Sequence, residues 1–96
     1  MTSGVFHKDV WYGGRVQGVG FRAHVLRVAR GYEVRGKVRN LDDGRVFLQV
    51  EGNEEEVAAF LAEIRRGLMF FIRNVESREF WGVSCFPNFT IATGQS

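Results

Sequence analysis

Apolar and polar residues alternate along the middle of the chain in the pattern of a β-hairpin. Residues 34–41 and 45–51 predict two strands, and the Asp-Asp-Gly sequence at 42–44 predicts the tight turn between them. Successive side chains of a strand point to opposite faces, so one face of the second strand is predicted to pack and holds Val46, Leu48 and Val50. We expect the other face to be largely wet, with Arg45, Phe47, Gln49 and Glu51.

Two other segments repeat apolar residues at the spacing of a helix. The first helix is predicted from Phe21, Val25, Val28 and Ala29 and is expected to stop at Gly31. The second is predicted to begin after an N-cap at Asn53, to carry glutamates at 54–56 in its first turn and to end at Gly67. We interpret those glutamates as favourable partners of the helix dipole rather than as a metal site. Its buried stripe is expected to be Val57, Phe60, Leu61 and Ile64.

The remaining segments complete the order of elements. Residues 6–15 predict a first strand, residues 75–81 a fourth, and residues 89–91 an extra short C-terminal strand. The order strand, helix, strand, strand, helix, strand indicates an α+β fold of the ferredoxin-like type, a β-α-β-β-α-β sandwich. Two helices are expected on one face of a mainly antiparallel sheet, and residues 1–96 are expected to form a single domain. The apolar run 68–72 would favour aggregation if it were exposed.

The composition indicates a cellular compartment, and the charged residues are distributed unevenly along the chain. A lone cysteine, Cys85, excludes an internal disulfide and fits a reducing compartment. The N-terminus has no signal pattern and no apolar run reaches membrane length, so we expect a cytoplasmic protein with no membrane contact. Residues 1–50 hold nine Lys/Arg and four Asp/Glu, whereas residues 51–96 hold four and seven. The first half of the chain is therefore the better place for an anion site.

A glycine-rich segment between the first strand and the first helix predicts such a site. Residues 14–22 read Gly-Arg-Val-Gln-Gly-Val-Gly-Phe-Arg. Glycines let backbone N–H groups turn inward, a helix N-terminus adds about half a positive charge, and Arg22 offers a two-pronged donor for phosphate oxygens. Val19 stands where a Walker loop needs lysine, and His24 or Ala23 stands where a dinucleotide loop needs its third glycine. A strand-to-helix turn that merely needs glycine is the alternative.

A second segment pairs with this loop. Residues 36–46 read Gly-Lys-Val-Arg-Asn-Leu-Asp-Asp-Gly-Arg-Val, with Asn40 at the end of a strand just before the turn. Together the two motifs resemble the acylphosphatase family, over about residues 8–66. The resemblance implies a ferredoxin-like hydrolase that cleaves small acyl phosphates to a carboxylate and inorganic phosphate, with no metal and no cofactor. We expect it to be a monomer.

The resemblance also implies roles for particular residues. Arg22 would bind the phosphoryl group, and Asn40 would position the attacking water. Backbone N–H groups of the phosphate-binding loop would complete the cradle, at Val16, Gln17, Gly18, Val19, Gly20 and Phe21. Because a carboxylate is a good leaving group, a neutral carboxamide that orients water is chemically sufficient and no general base is demanded.

For several of these residues, a purely structural role is the alternative to a functional one. An asparagine before Asp-Asp-Gly is usually a turn former, and Gln17 could contact substrate or simply lie on the surface. His7 and His24 have no ligand spacing around them, which argues against a metal or acid–base role. Cys85 is expected to pack in the C-terminal region rather than to act as a nucleophile.

Two other functions are alternatives to hydrolysis. A nucleic-acid module on a ferredoxin-like sheet is disfavoured, because the third strand offers Phe47 alone as a stacking ring. We therefore expect no nucleic-acid partner. A relative that handles carbamoyl phosphate is the other alternative, since acylphosphatase-like domains also occur within larger maturation enzymes. The end of the chain at residue 96 favours a free-standing enzyme.

Overall fold

Seven elements follow one another along residues 4–92, the part of the chain that this computed structural model describes. The strands are β1 (Val5–Gly14), β2 (Val34–Asn40), β3 (Val46–Gly52), β4 (Ile72–Gly82) and β5 (Phe89–Ile91). The helices are α1 (Phe21–Ala29) and α2 (Glu54–Leu68). Each element predicted from the sequence is present, with bounds that differ by up to a few residues.

The strands form one sheet in the order β4-β1-β3-β2-β5. Neighbouring strands are antiparallel except β2 and β5, which run parallel. This is the ferredoxin-like arrangement, and the predicted extra strand is confirmed as β5 at one edge. No helix of the described residues is long and apolar enough to cross a membrane.

The core lies between the two helices and one face of the sheet. Alternate residues of the central strands supply the sheet side of this core, among them Val10, Val38, Val46, Leu48 and Val50. The helices supply the other side, with Phe21 and Val25 of α1 and Val57, Phe60 and Ile64 of α2. Burial of one side chain of this size stabilises the fold by about 1.5–3 kcal/mol. The apolar faces that helical and strand periodicity predict therefore pack together in a single core.

Helix α2 begins as predicted but ends later. The Asn53 side chain accepts hydrogen bonds from the N–H groups of Glu55 and Glu56, at 2.8 and 3.3 Å. The prediction that Gly67 ends the helix is wrong, because the helix continues to Leu68, whose side chain is buried in the core. Packing of that leucine outweighs the weak helix propensity of glycine. The apolar run that follows is only partly covered, with Met69 and Phe70 exposed.

The expectation of a wet second face on β3 is wrong at two positions. Phe47 is 9% exposed and Glu51 is fully buried. Trp11 stacks on the Phe47 ring with centroids 4.8 Å apart, and the Arg39 guanidinium lies 5.4 Å from the same ring. These neighbours come from the adjacent strands β1 and β2. Period-two alternation identified the two faces, but it did not show what would cover the second.

Glu51 is covered by the segment that joins β4 to β5, residues 83–88, here called the crossover. Since β4 and β5 lie at opposite edges of the sheet, this segment passes over the face that the helices leave open. The Ser84 hydroxyl and the Cys85 N–H both donate to the Glu51 carboxylate. Burial acts to raise the pKa of this carboxyl, but hydrogen bonds from Cys85, Ser84 and Arg35 outweigh it, so its pKa lies below the ordinary value.

Strand β2 requires glycine at position 36. The Gly36 N–H donates to the Asn88 carbonyl at 3.0 Å, and a Cβ here would collide with the Gln49 carbonyl of β3. We predict that Gly36→Ala destabilises the protein by about 2 kcal/mol or more, because β2 and β3 would have to separate. Urea unfolding measures this, with the exposed Lys37→Ala as a control expected to change stability by less than about 0.5 kcal/mol. Unchanged stability of Gly36→Ala would contradict this close approach.

Candidate active site

The loop between β1 and α1 curls by means of two glycines. Gly18 and Gly20 have φ values of 80° and 81°, in the left-handed region that favours glycine. Gly20 is the N-cap of α1, and its carbonyl accepts the first helical hydrogen bond from His24 N at 3.0 Å. A Cβ at either glycine would meet no atom within 4 Å, so a substitution there costs backbone conformation rather than space. The loop therefore ends at the start of α1, where the first N–H groups of a helix have no partner within the helix and can bind an anion.

A cleft of about 240 Å³ opens at this helix start. It is lined by Val16, Gly18, Gly20, Phe21, Arg22, Ala23, Asn40 and Ile91. Arg22 and Asn40, the two side chains that the sequence singled out, thus lie in one cleft although they come from different elements. Of the six loop positions, Gln17 and Val19 do not line it. Ile91 of β5 was not anticipated, because nothing in its local sequence marks it.

Arg22 lies in the first turn of α1 and is half-buried. Its Nη1 donates to the Ala92 carbonyl at 3.2 Å, which orients the guanidinium and leaves its other N–H groups available. The first turn of this helix carries no acidic side chain, and α1 is described in full. A cation at a helix N-terminus opposes the helix dipole, so this end of the helix is suited to bind a negative group.

Asn40 is the last residue of β2 and is half-buried. The turn that follows is held by other groups: Asp43 Oδ1 accepts from Arg45 N at 3.1 Å, and Gly44 N donates to the Leu41 carbonyl. Among the described residues, the Asn40 carboxamide makes no hydrogen bond to another side chain or to the backbone. The turn-forming alternative is therefore unsupported, and the carboxamide lies at the cleft instead.

Gln17 connects the glycine loop to the hairpin. Its Nε2 donates to the carbonyls of Leu41 and Arg45, at 2.8 and 2.9 Å. Both amide hydrogens are thus used within the protein, so the side chain is neither a free surface group nor a free donor for substrate. Because these carbonyls flank the turn after Asn40, Gln17 sets the position of the loop relative to Asn40. The sequence contained no signal for this contact.

The fold and this cleft define a small α+β protein with a cleft suited to an anion at the start of its first helix. Residues 8–89 match the model of the acylphosphatase family, described by that name. The chain therefore belongs to the acylphosphatase family.

Individual relatives agree with this assignment. An acylphosphatase of Bacillus licheniformis is 41% identical over 80 residues, which cover 82% of this chain and 89% of that protein. An acylphosphatase of Thermotoga maritima is 50% identical over 54 residues, 56% of this chain, so the match spans about three fifths (60%) of that relative. The crystal structure of acylphosphatase from Bacillus subtilis superposes with a TM-score of 0.84 at 31% identity, covering 92% of this chain and 99% of that one.

We predict that Gln17→Ala loosens the loop while leaving the cleft side chains in place. Loss of two partly buried hydrogen bonds should lower stability by about 1–3 kcal/mol, while each carbonyl keeps its backbone donor. Binding of inorganic phosphate, followed by isothermal titration calorimetry, should weaken as well. Gln49→Ala, a half-buried glutamine on the opposite sheet face, is the matched control. Phosphate affinity as strong in Gln17→Ala as in the control would contradict the positioning role.

Proposed function

We propose that the protein hydrolyses small acyl phosphates to a carboxylate and inorganic phosphate. The observation that carries this proposal is the meeting of Arg22 and Asn40 in one cleft at the N-terminus of α1. One side chain suits a phosphoryl group and the other suits a water molecule. Membership of the acylphosphatase family supports the same reaction.

The phosphoryl group is held by Arg22 and by backbone N–H groups of the loop from Val16 to Phe21. The guanidinium presents donors in a fixed plane, which matches two oxygens of a phosphate at once. Its hydrogen bond to Ala92 orients the group before substrate arrives. Because the helix dipole and the arginine act on the same oxygens, their effect grows as charge redistributes in the transition state.

Asn40 orients the attacking water. Its carboxamide oxygen accepts a hydrogen bond from the water and so directs an oxygen lone pair toward phosphorus. The carboxamide is neutral near pH 7, so it acts by position rather than as a base. This is enough because the carboxylate leaves readily and phosphoryl transfer passes through a loose transition state, in which little proton removal is needed early.

The acyl side of the substrate is recognised loosely. The lining of the cleft beyond the phosphate groups is apolar, with Val16, Phe21 and Ile91. We infer that several small acyl groups are accepted, and that carbamoyl phosphate is a poorer substrate because its polar amino group gains nothing from such a lining. The cleft is formed within one chain, which supports a monomeric enzyme, and the single cysteine supports a cytoplasmic location.

A hydrolysis assay tests the proposed function itself. We predict that the purified protein hydrolyses benzoyl phosphate in the presence of EDTA, followed by loss of substrate absorbance, and turns over carbamoyl phosphate more slowly. Folded wild-type protein that hydrolyses neither compound would overturn the proposal. Hydrolysis that EDTA abolishes would overturn its metal independence only.

We predict that Asn40→Ala lowers kcat for benzoyl phosphate by about 10²–10³-fold, because the water loses its orienting acceptor. KM should change little, since Asn40 does not hold the phosphate. Asn88→Ala, an exposed asparagine of the crossover, is the control and should keep wild-type kcat. Circular dichroism establishes that both variants are folded. A wild-type kcat in Asn40→Ala would remove Asn40 from the mechanism without affecting the proposed reaction.

Arg22→Ala should act differently. It removes the charged phosphate ligand, so we predict that KM and the inhibition constant of inorganic phosphate both rise by more than about tenfold, with kcat also reduced. Arg27→Ala on the exposed side of the same helix removes an equal charge away from the cleft and is the matched control. Equal inhibition constants in the two variants would show that general charge, and not Arg22, attracts the phosphate.

A further inference from the structure

Three side chains that can bind metal converge on the sheet face that the helices leave open. They are His7 of β1, Glu51 of β3 and Cys85 of the crossover. One ligand atom from each lies within 4.8 Å of the others. His7 and Glu51 are buried, whereas Cys85 is exposed, so the cluster is built into the fold but open on one side. The sequence-based views of His7 as isolated and of Cys85 as packed are wrong, because the partners are distant in sequence and only the sheet and the crossover unite them.

The Glu51 carboxylate has one lone pair that the described residues do not use. An ionised carboxylate offers about four lone-pair sites. Oε2 accepts from Arg35 Nε at 2.9 Å and from the Ser84 hydroxyl, and Oε1 accepts from Cys85 N at 2.7 Å. Oε1 keeps one such site, and this oxygen lies 3.7 Å from His7 Nδ1, a separation too long for a direct hydrogen bond.

His7 presents a lone pair to that oxygen. Its Nε2 lies 2.9 Å from the Val83 carbonyl, which only accepts, so we assign the ring proton to Nε2. Nδ1 of the neutral ring is then an acceptor close to a second acceptor, and a cation between the two atoms would satisfy both. Histidines that bind metals typically donate their other ring N–H to a carbonyl or carboxylate, as His7 does here.

We propose that His7, Glu51 and Cys85 bind one divalent ion of the zinc type. Imidazole nitrogen, carboxylate oxygen and thiolate sulfur are the ligands that zinc takes in tetrahedral sites. Two ligand atoms bound to zinc with tetrahedral geometry are about 3.4 Å apart. The 3.7 Å between Nδ1 and Oε1 is close to that value. The fourth position faces solvent and takes a water molecule.

Cys85 completes the site with a small movement. Its Sγ now contacts the Val83 carbonyl at 3.5 Å, a weak interaction that a metal–sulfur bond easily replaces. Closing the widest ligand separation to tetrahedral spacing requires a shift of about 1 Å, which the exposed crossover can supply. The ion would then tie the crossover to β1 and β3. This site lies on the opposite sheet face from the helices, and its assignment does not rest on the proposed hydrolysis.

Titration with Zn²⁺ and Co²⁺ tests the proposal. Untagged protein is stripped of metal, kept reduced with a phosphine, and titrated by calorimetry with Zn²⁺ and by absorbance with Co²⁺. We expect one ion per chain, a rise in Tm on addition of Zn²⁺, and a near-ultraviolet sulfur-to-cobalt charge-transfer band. Absence of saturable binding would overturn the site. A Co²⁺ complex without the sulfur band would do the same, because it would exclude Cys85.

Two variants separate this site from adventitious binding. Cys85→Ser changes an exposed side chain and should leave the fold intact, yet it should abolish the sulfur band and weaken Zn²⁺ binding by more than about tenfold, since loss of an outer partner alone has an effect of that size. His24→Gln removes the other histidine, which lies on α1, and should keep wild-type affinity. Equal Zn²⁺ affinity in Cys85→Ser and wild type, or loss of affinity only in His24→Gln, would overturn the proposal.

Discussion

The carboxylate of Glu51 holds the crossover, the segment that joins the two edge strands of the sheet. It receives hydrogen bonds from Arg35, Ser84 and Cys85, and each charge-assisted bond of this kind contributes about 1.5–3 kcal/mol. The crossover held in this way leads from one edge of the sheet to β5 at the other. β5 supplies Ile91 to the cleft, and the next residue, Ala92, holds Arg22. A buried charge on one face thus supports the candidate anion site on the other.

The positive charge at the cleft comes from one arginine placed at a helix start rather than from many basic residues. The start of α1 carries Arg22 and no acid, whereas α2 begins with three glutamates that complement its own dipole. The ion pairs among the described residues involve no residue that lines the cleft, and they lie at Glu51, at Asp9, at the turn after β2 and on exposed strand and helix surfaces. Since no carboxylate of residues 4–92 lines the cleft, a phosphoryl group would meet donors there without a competing anion from this part of the chain.

Local sequence predicted much of the site and the fold, and its errors have a common cause. The glycine loop, Arg22 and Asn40 are recognisable because each belongs to a short motif with fixed spacing. The wet face assigned to Phe47 and Glu51 was wrong because the groups that cover them, Trp11 and the crossover, come from distant parts of the chain. The contacts of Gln17 with Leu41 and Arg45 were missed for the same reason.

The sequence by itself determined the order of helices and strands, the N-cap of α2 and the candidate residues for phosphate chemistry. These features depend on periodicity and on short-range hydrogen bonding, and both are determined by residues that are close together in the sequence. The tertiary structure alone decided which of those residues share a cleft, what buries the second face of β3, and where His7 and Cys85 meet Glu51. Such contacts follow from strand order and from the path of the crossover, and many residues distributed over the whole chain select that arrangement together.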